Sequence, residues 1–158
     1  MSNQITPGLA RTHRQGDIFK AVRISNCLVA AGAIKHVHPK GEGGIVVPPD
    51  GYLSAAAAAC RAAGALLIVD EIQTGLGRTG SVFASEHESV VPDIMTTAKS
   101  LGGGVMPIGA FSTTDEIWDR GFGGTEKCTL HTSTFGGNAR AMAAALKAIE
   151  ILVREDLA

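Results

Sequence analysis

The stretch "YLSAAAAACRAAGALLIVD", residues 52–70, limits what this 158-residue chain can fold into more than any other. Alanine has the highest helix propensity, so the run from Ala55 to Ala59 predicts a helix, with Asp50 placed ahead of it to cap its start. Gly64 stands where a left-handed residue ends a helix. "ALLIVD", 65–70, is then a continuous apolar run ending in an acid, the pattern of a strand buried on both faces. A helix feeding a buried strand implies a layered α/β fold.

The rest of the chain continues the alternation. "DIMTTA", 93–98, reads as a second buried strand ending at Lys99, and "PIGAFSTT", 107–114, as a third after a triple glycine. "DEIWDR" predicts a short helix, residues 121–138 a long loop, and Ala139 to the end an amphipathic helix. Its apolar side carries Met142, Leu146, Ile149 and Val153, and Arg140, Lys147 and Arg154 lie on another side, with no cap or stop before Ala158. Aromatic residues are only 4% of the chain, so the core is expected to consist of small aliphatic side chains in closely approaching layers.

Charge and cysteine usage exclude several classes of function. A net charge of −1 gives no electrostatic footprint for nucleic acid or an anionic membrane. The distribution is uneven: residues 1–40 hold six basic side chains against Asp17 alone. Three cysteines, Cys27, Cys60 and Cys128, without a CxxC pair point to a reducing compartment, with the cytoplasm as the default location. The apolar run 27–34 is too short to cross a bilayer.

In an open α/β sheet, ligands bind outside the carboxyl ends of the strands. Two such ends carry charge here: Asp70 with Glu71, and Lys99. A lone lysine is ordinarily a solvated cation, but an amine partly removed from water becomes a nucleophile able to condense with a carbonyl. Pyridoxal phosphate needs a lysine for its aldehyde, a carboxylate for its ring nitrogen, and hydroxyl and amide donors for its phosphate. Lys99, Asp70 and the "HTSTFGG" loop with Ser133 and Thr134 offer one of each.

From Gly41 onward the sequence resembles the class III family of pyridoxal-phosphate-dependent aminotransferases, which act on ω-amino acids and diamines. The resemblance is carried by "GEGGIVVPPDGYL", "LLIVDEIQTGLGRTG", "PDIMTTAKSLGGGVMPIGA" and "HTSTFGGN", in the family's order and spacing. "GGGVMPIGA" and "HTSTFGGN" are most similar to the putrescine aminotransferase branch. The resemblance implies a partial fold-type I large domain, with a mostly parallel sheet flanked by helices. It further implies Lys99 as the Schiff-base lysine and proton shuttle, Asp70 as the ring-nitrogen partner, Gln73 as a donor to the phenolic oxygen, and Ile72 packed on the ring. Thr134 would reach the phosphate of a neighbouring subunit's cofactor, implying a homodimer, and Glu42 matches an acid that gates a substrate arginine. The reaction implied moves an amino group from an amine donor such as putrescine or ornithine to a 2-oxo acid. On this reading the triple glycine gives a bulky cofactor room.

The pattern departs from the family at "VHPK", 37–40, where a Glu-Pro-hydrophobic-Gln stretch is usual, and a phosphate-cradling Gly/Ser loop has no match in residues 1–40. The expected organisation is an unmatched segment 1–40, then a partial large domain 41–158 without the small C-terminal domain. A truncated, non-catalytic fragment that binds the cofactor weakly, or only associates with other chains, is the alternative. Two rivals are weaker. "GLGRTG", 75–80, matches GxGxxG but neither follows a strand directly nor opens a helix, as a nicotinamide site requires. His36 and His38 would share one face if their segment were a strand, but no third metal ligand is evident, so no metal is expected, and His131 reads as a structural hydrogen-bonding residue.

Overall fold

The computed structural model describes residues 47–127 and 129–158. Helix α1, Tyr52–Ala62, is the alanine-rich segment. Its cap differs from the expectation: Gly51, at φ 78°, takes the N-cap position, and Asp50 makes no capping bond. The exposed first-turn N–H of Ser54 instead donates to Glu88 Oε2 at 2.8 Å, a partner 34 residues away. The C-terminus follows the sequence. Gly64 is left-handed at φ 61°, Ala65 N–H donates to the Cys60 carbonyl at 2.9 Å and Gly64 N–H to that of Arg61 at 3.1 Å. Those two bonds make a Schellman motif, which closes off the helix carbonyls.

A three-stranded sheet follows, in the order β1 (Ile68–Asp70), β2 (Ile94–Thr97), β3 (Ala110–Thr113). β1 and β2 are parallel, with Asp70 opposite Thr96. β2 and β3 are antiparallel, since the connection between them holds only a 3-10 helix, Lys99–Gly102, and no crossover α-helix. A second 3-10 helix, Ala84–Glu88, lies between β1 and β2. Asp93 ties the strand starts together, accepting the Leu67 N–H through Oδ2 at 2.6 Å.

The core is one-sided. Leu53, Ala56, Ala57 and Cys60 of α1 pack on Leu67, Val69 and Ala84. Residues 67, 69 and 71 alternate inward at 5%, 0% and 1% exposure, whereas Ile68 is 38% exposed on the other face. The expected burial of this strand on both faces is therefore not met among the described residues: α1 covers one face only, and the period-two alternation of a half-buried strand results.

Helix α2, Asp115–Phe122, starts at Thr114, whose hydroxyl accepts from Ile117 N–H. Helix α3, Ala139–Arg154, starts at Asn138, whose Oδ1 accepts from the N–H groups of Arg140 and Ala141 at 3.0 and 3.2 Å. It does not run to the last residue. Asp156 turns left-handed at φ 51°, and Leu157 N–H returns to the Leu152 carbonyl at 3.0 Å. This is a helix stop made by an aspartate where glycine is the usual signal.

The orientation of α3 also departs from the simple amphipathic pattern. Met142, Leu146, Ile149 and Val153 are 55%, 70%, 39% and 63% exposed, while Ala141 and Ala145 are buried. The small side chains face inward because the glycine turn approaches closely: a Cβ on Gly103 would lie 3.2 Å from the Ala148 Cβ. The room provided by the triple glycine is thus taken up by α3 at Gly103.

Candidate active site

The parallel pairing of β1 and β2 brings the two charged strand ends to one edge. Asp70 closes β1 opposite Thr96, and Lys99 begins three residues beyond Thr96. Asp70 is half-buried on the sheet face away from α1. Its Oδ1 accepts from Ile72 N–H at 3.0 Å and from Thr96 Oγ1 at 3.1 Å, so the carboxylate is fixed by both strands.

Lys99 opens the 3-10 helix at φ 52°, after a fully extended Ala98. A left-handed conformation is costly for a side chain other than glycine, asparagine or aspartate, and such strain concentrates at functional positions. The residue is exposed, so the removal from water on which its nucleophilicity would rest is not supplied by the described residues. Its neighbour Ser100 accepts from Arg78 Nε at 3.1 Å, linking the "GLGRTG" segment to the lysine turn.

Glu71, paired with Asp70 in the sequence reading, points the opposite way. It is 1% exposed in the core, with Oε1 accepting from Ser85 N–H at 2.8 Å and Oε2 from the Thr74 hydroxyl. Strand alternation is the signal that separates them: position 71 continues the inward face of Leu67 and Val69. Ile72 and Gln73 follow, both half-buried, and Gln73 Oε1 is buried without a hydrogen-bond partner. An unsatisfied buried polar atom is uncommon enough to require a reason.

The hydroxyl loop is less tightly tied. Ser133 accepts through its carbonyl from Gly136 N–H at 3.0 Å and lines a cavity of about 820 Å³ together with Ala98, Pro107, Phe135 and Asn138. Thr134 is exposed in the same loop, and no hydrogen bond joins it to Asp70, Gln73 or Lys99. His131 makes ring contacts, where a hydrogen-bonding role was expected. It meets Phe111 edge-on at 4.9 Å and Phe122 at 5.5 Å, anchoring the loop to β3 and α2. Glu42, Cys27, His36 and His38 lie outside the described residues, as does Cys128.

The nicotinamide reading gains no structural support, and the His36 and His38 on which the metal reading rests lie outside the described residues. No helix opens at "GLGRTG"; a Cβ on Gly75 would lie 2.9 Å from the Glu71 carbonyl oxygen, so that glycine serves a tight turn. Among the described residues no group of three or more His, Cys, Asp or Glu could hold a metal, and no helix is long and apolar enough to cross a membrane. Cys60 is a buried hydrophobe in α1. Burial, and secondarily the Asp93 charge, push its thiol pKa up.

The profile of the family described as aminotransferase class-III matches residues 18–158, nearly nine-tenths of the chain and upstream of Gly41, where the quoted motifs begin. The chain belongs to the class-III aminotransferase family. Solved structures of family type are similar to it. An ornithine aminotransferase from Toxoplasma gondii is 47% identical with a TM-score of 0.67, the match covering 73% of this chain and 26% of that one. An (S)-enantioselective ω-transaminase from Thermomicrobium roseum is 43% identical with a TM-score of 0.66, over 72% and 25% of the two chains. An acetylornithine aminotransferase from Elizabethkingia anophelis is 39% identical with a TM-score of 0.66, over 74% and 28%. These identities and scores establish a part of the fold-type I aminotransferase architecture. This chain spans about a quarter of the length of the structures it matches.

Proposed function

We propose that this class-III aminotransferase chain carries the cofactor-attachment half of a pyridoxal-phosphate-dependent transaminase, which moves an amino group from an ω-amine or diamine donor to a 2-oxo acid. The observation that carries this reading is the shared strand edge, where Asp70, oriented by Thr96 Oγ1 and Ile72 N–H, stands at the end of β1 and Lys99 follows β2. A second ornithine aminotransferase structure from Toxoplasma gondii has pyridoxal phosphate at partial occupancy in its active site.

The residues present fit that group. The buried, unpartnered Gln73 Oε1 marks an amide with spare hydrogen-bonding capacity. Exchange of its O and N positions would aim a donor at a phenolic oxygen. A primary amine, a held carboxylate, this amide and the Ser133 and Thr134 hydroxyls supply the chemistry the cofactor needs. When bound, pyridoxal phosphate supplies an electron sink for the carbanion left when the donor loses its proton. Asp70 would hold the proton on the ring nitrogen, Lys99 Nζ would attach the aldehyde and, once released as a free amine by the incoming donor amine, would carry the proton between carbons, and Ile72 would pack on the ring face. Ser133 and Thr134, in an exposed loop, suit a phosphate belonging to a second subunit of a homodimer. Glu42 would pair with a substrate-binding arginine and release it when a substrate carboxylate is to be recognised. Residues 41–158 form the large-domain portion, and three cysteines without a CxxC pair support a cytoplasmic setting.

A second reading has its own support. The exposure of Lys99 and of the α3 apolar side favours a chain that attaches the cofactor yet turns over only when other polypeptide completes the pocket. Incubating the purified chain with pyridoxal phosphate, a diamine and a 2-oxo acid, and quantifying the amino acid formed, separates the two. Product that disappears in Lys99→Ala supports transaminase activity of this chain. Lys99 attachment without product supports the second reading, and neither attachment nor product sinks the proposal.

A further inference from the structure

Glu71 is a buried carboxylate for which the reaction outlined above has no task. A carboxylate is expensive to desolvate, and an apolar residue would pack there at no such cost unless its hydrogen bonds are needed. Its bonds join three segments. Oε1 receives Ser85 N–H at 2.8 Å at the start of the 3-10 helix Ala84–Glu88, and Oε2 receives the Thr74 hydroxyl. The backbone N–H donates to the Thr96 carbonyl of β2 at 2.8 Å, and the carbonyl accepts from Gly75 N–H at 2.9 Å.

Two consequences follow from where these partners lie. Ile72 and Gln73 are bracketed between Glu71 and Thr74, so the side-chain bond to Thr74 fixes the turn that presents the buried Gln73 amide. Residues 74–85 form a loop closed at both ends by one carboxylate, and from that loop Arg78 reaches Ser100 beside Lys99 at 3.1 Å. We propose that Glu71 is a positioning residue, which sets the Gln73 amide at the cofactor edge and holds the loop that steadies the lysine turn. The proposal rests on the cofactor reading above.

Hydrogen exchange and the pH dependence of the bound cofactor's visible absorption test it on the whole chain, using Glu71→Ala, Glu71→Gln, Gln73→Ala and Thr74→Val. A glutamine at 71 can still accept from Ser85 N–H and donate to the Thr74 hydroxyl, so it keeps the geometry without the charge. In Glu71→Ala the Ser85 and Gly75 amides should exchange at least tenfold faster while α1 stays protected. The absorption midpoint should move by about one pH unit, the size of one hydrogen bond to an ionised group. Gln73→Ala should move it in the same direction, and Glu71→Gln should leave both readouts at wild-type values. An opened loop with an unmoved midpoint would overturn the proposal, as would a midpoint indifferent to Gln73→Ala. If Glu71→Ala fails to fold, Thr74→Val cuts only the contact flanking Gln73, and an unchanged midpoint there is equally contrary. Failure of the unsubstituted chain to attach the cofactor at Lys99 rejects the cofactor reading itself and the positioning role with it, while the exchange rates still report whether Glu71 clamps the loop.

Discussion

The Asp70–Glu71 corner and the 124–138 loop both border the strand edge where chemistry is expected, but they are built differently. At the corner each carboxylate, besides its local bonds, has a contact distant in sequence: Asp70 to β2, Glu71 to the loop end, Asp93 back to Leu67. In the loop, Ser133 and Thr134 are exposed, and the attachments include the packing of His131 on Phe111 and Phe122 and a bond from Lys127 Nζ to the Arg120 carbonyl at 3.1 Å. The difference teaches that the described residues fix the carboxylate side of the proposed site through their own contacts. The hydroxyl side is presented outward, as a group serving another subunit would be.

The largest expected effect comes from the layer beneath the corner. Leu53 is 1% exposed against Val69, and Leu53→Ala should cost about 3 kcal/mol of stability in chemical denaturation. A loss under about 1 kcal/mol would mean that α1 does not support β1. Asn138 caps α3 through two N–H groups, so Asn138→Ala should cost about 1 kcal/mol, read in the same way. Thr134→Ala should change stability by less than about 0.5 kcal/mol, since its side chain is solvent-facing; a large loss would erase the contrast between the two regions.

Cys60 sharpens the comparison through pH. Its thiol pKa is raised in the folded chain above the ordinary thiol value, by burial and then by Asp93. The folded state therefore prefers the neutral thiol. The associated stability is complete below the unfolded pKa and is lost as pH rises from there through the folded value. Denaturation midpoints should fall above about pH 9, and Cys60→Ala should remove that component of the slope.

Much of the corner was legible because its signals are local. Alanine propensity gave α1, Gly64 its end, and apolar runs the strands, while the motifs around Asp70 and Lys99 carried the family. What was not legible depended on distant partners. Asp50 is a good cap by residue type, yet Glu88 supplies the acceptor from 34 residues beyond Ser54, which no local rule can see. The apolar stripe of α3 pointed to Met142 and Leu146, but close approach to Gly103 selects alanine for the packed face. The separation of Asp70 from Glu71 was readable in principle from alternation, but a run of apolar residues hides which face is which.

The central claim is that this chain carries the lysine to which the cofactor attaches. Reduction of the purified protein with borohydride after incubation with pyridoxal phosphate, followed by peptide mass mapping, tests it most directly. The account predicts the cofactor mass on the peptide containing Lys99, with Lys20, Lys35, Lys40, Lys127 and Lys147 unlabelled at low cofactor concentration. Equal labelling of all six lysines, or none at Lys99, would contradict it.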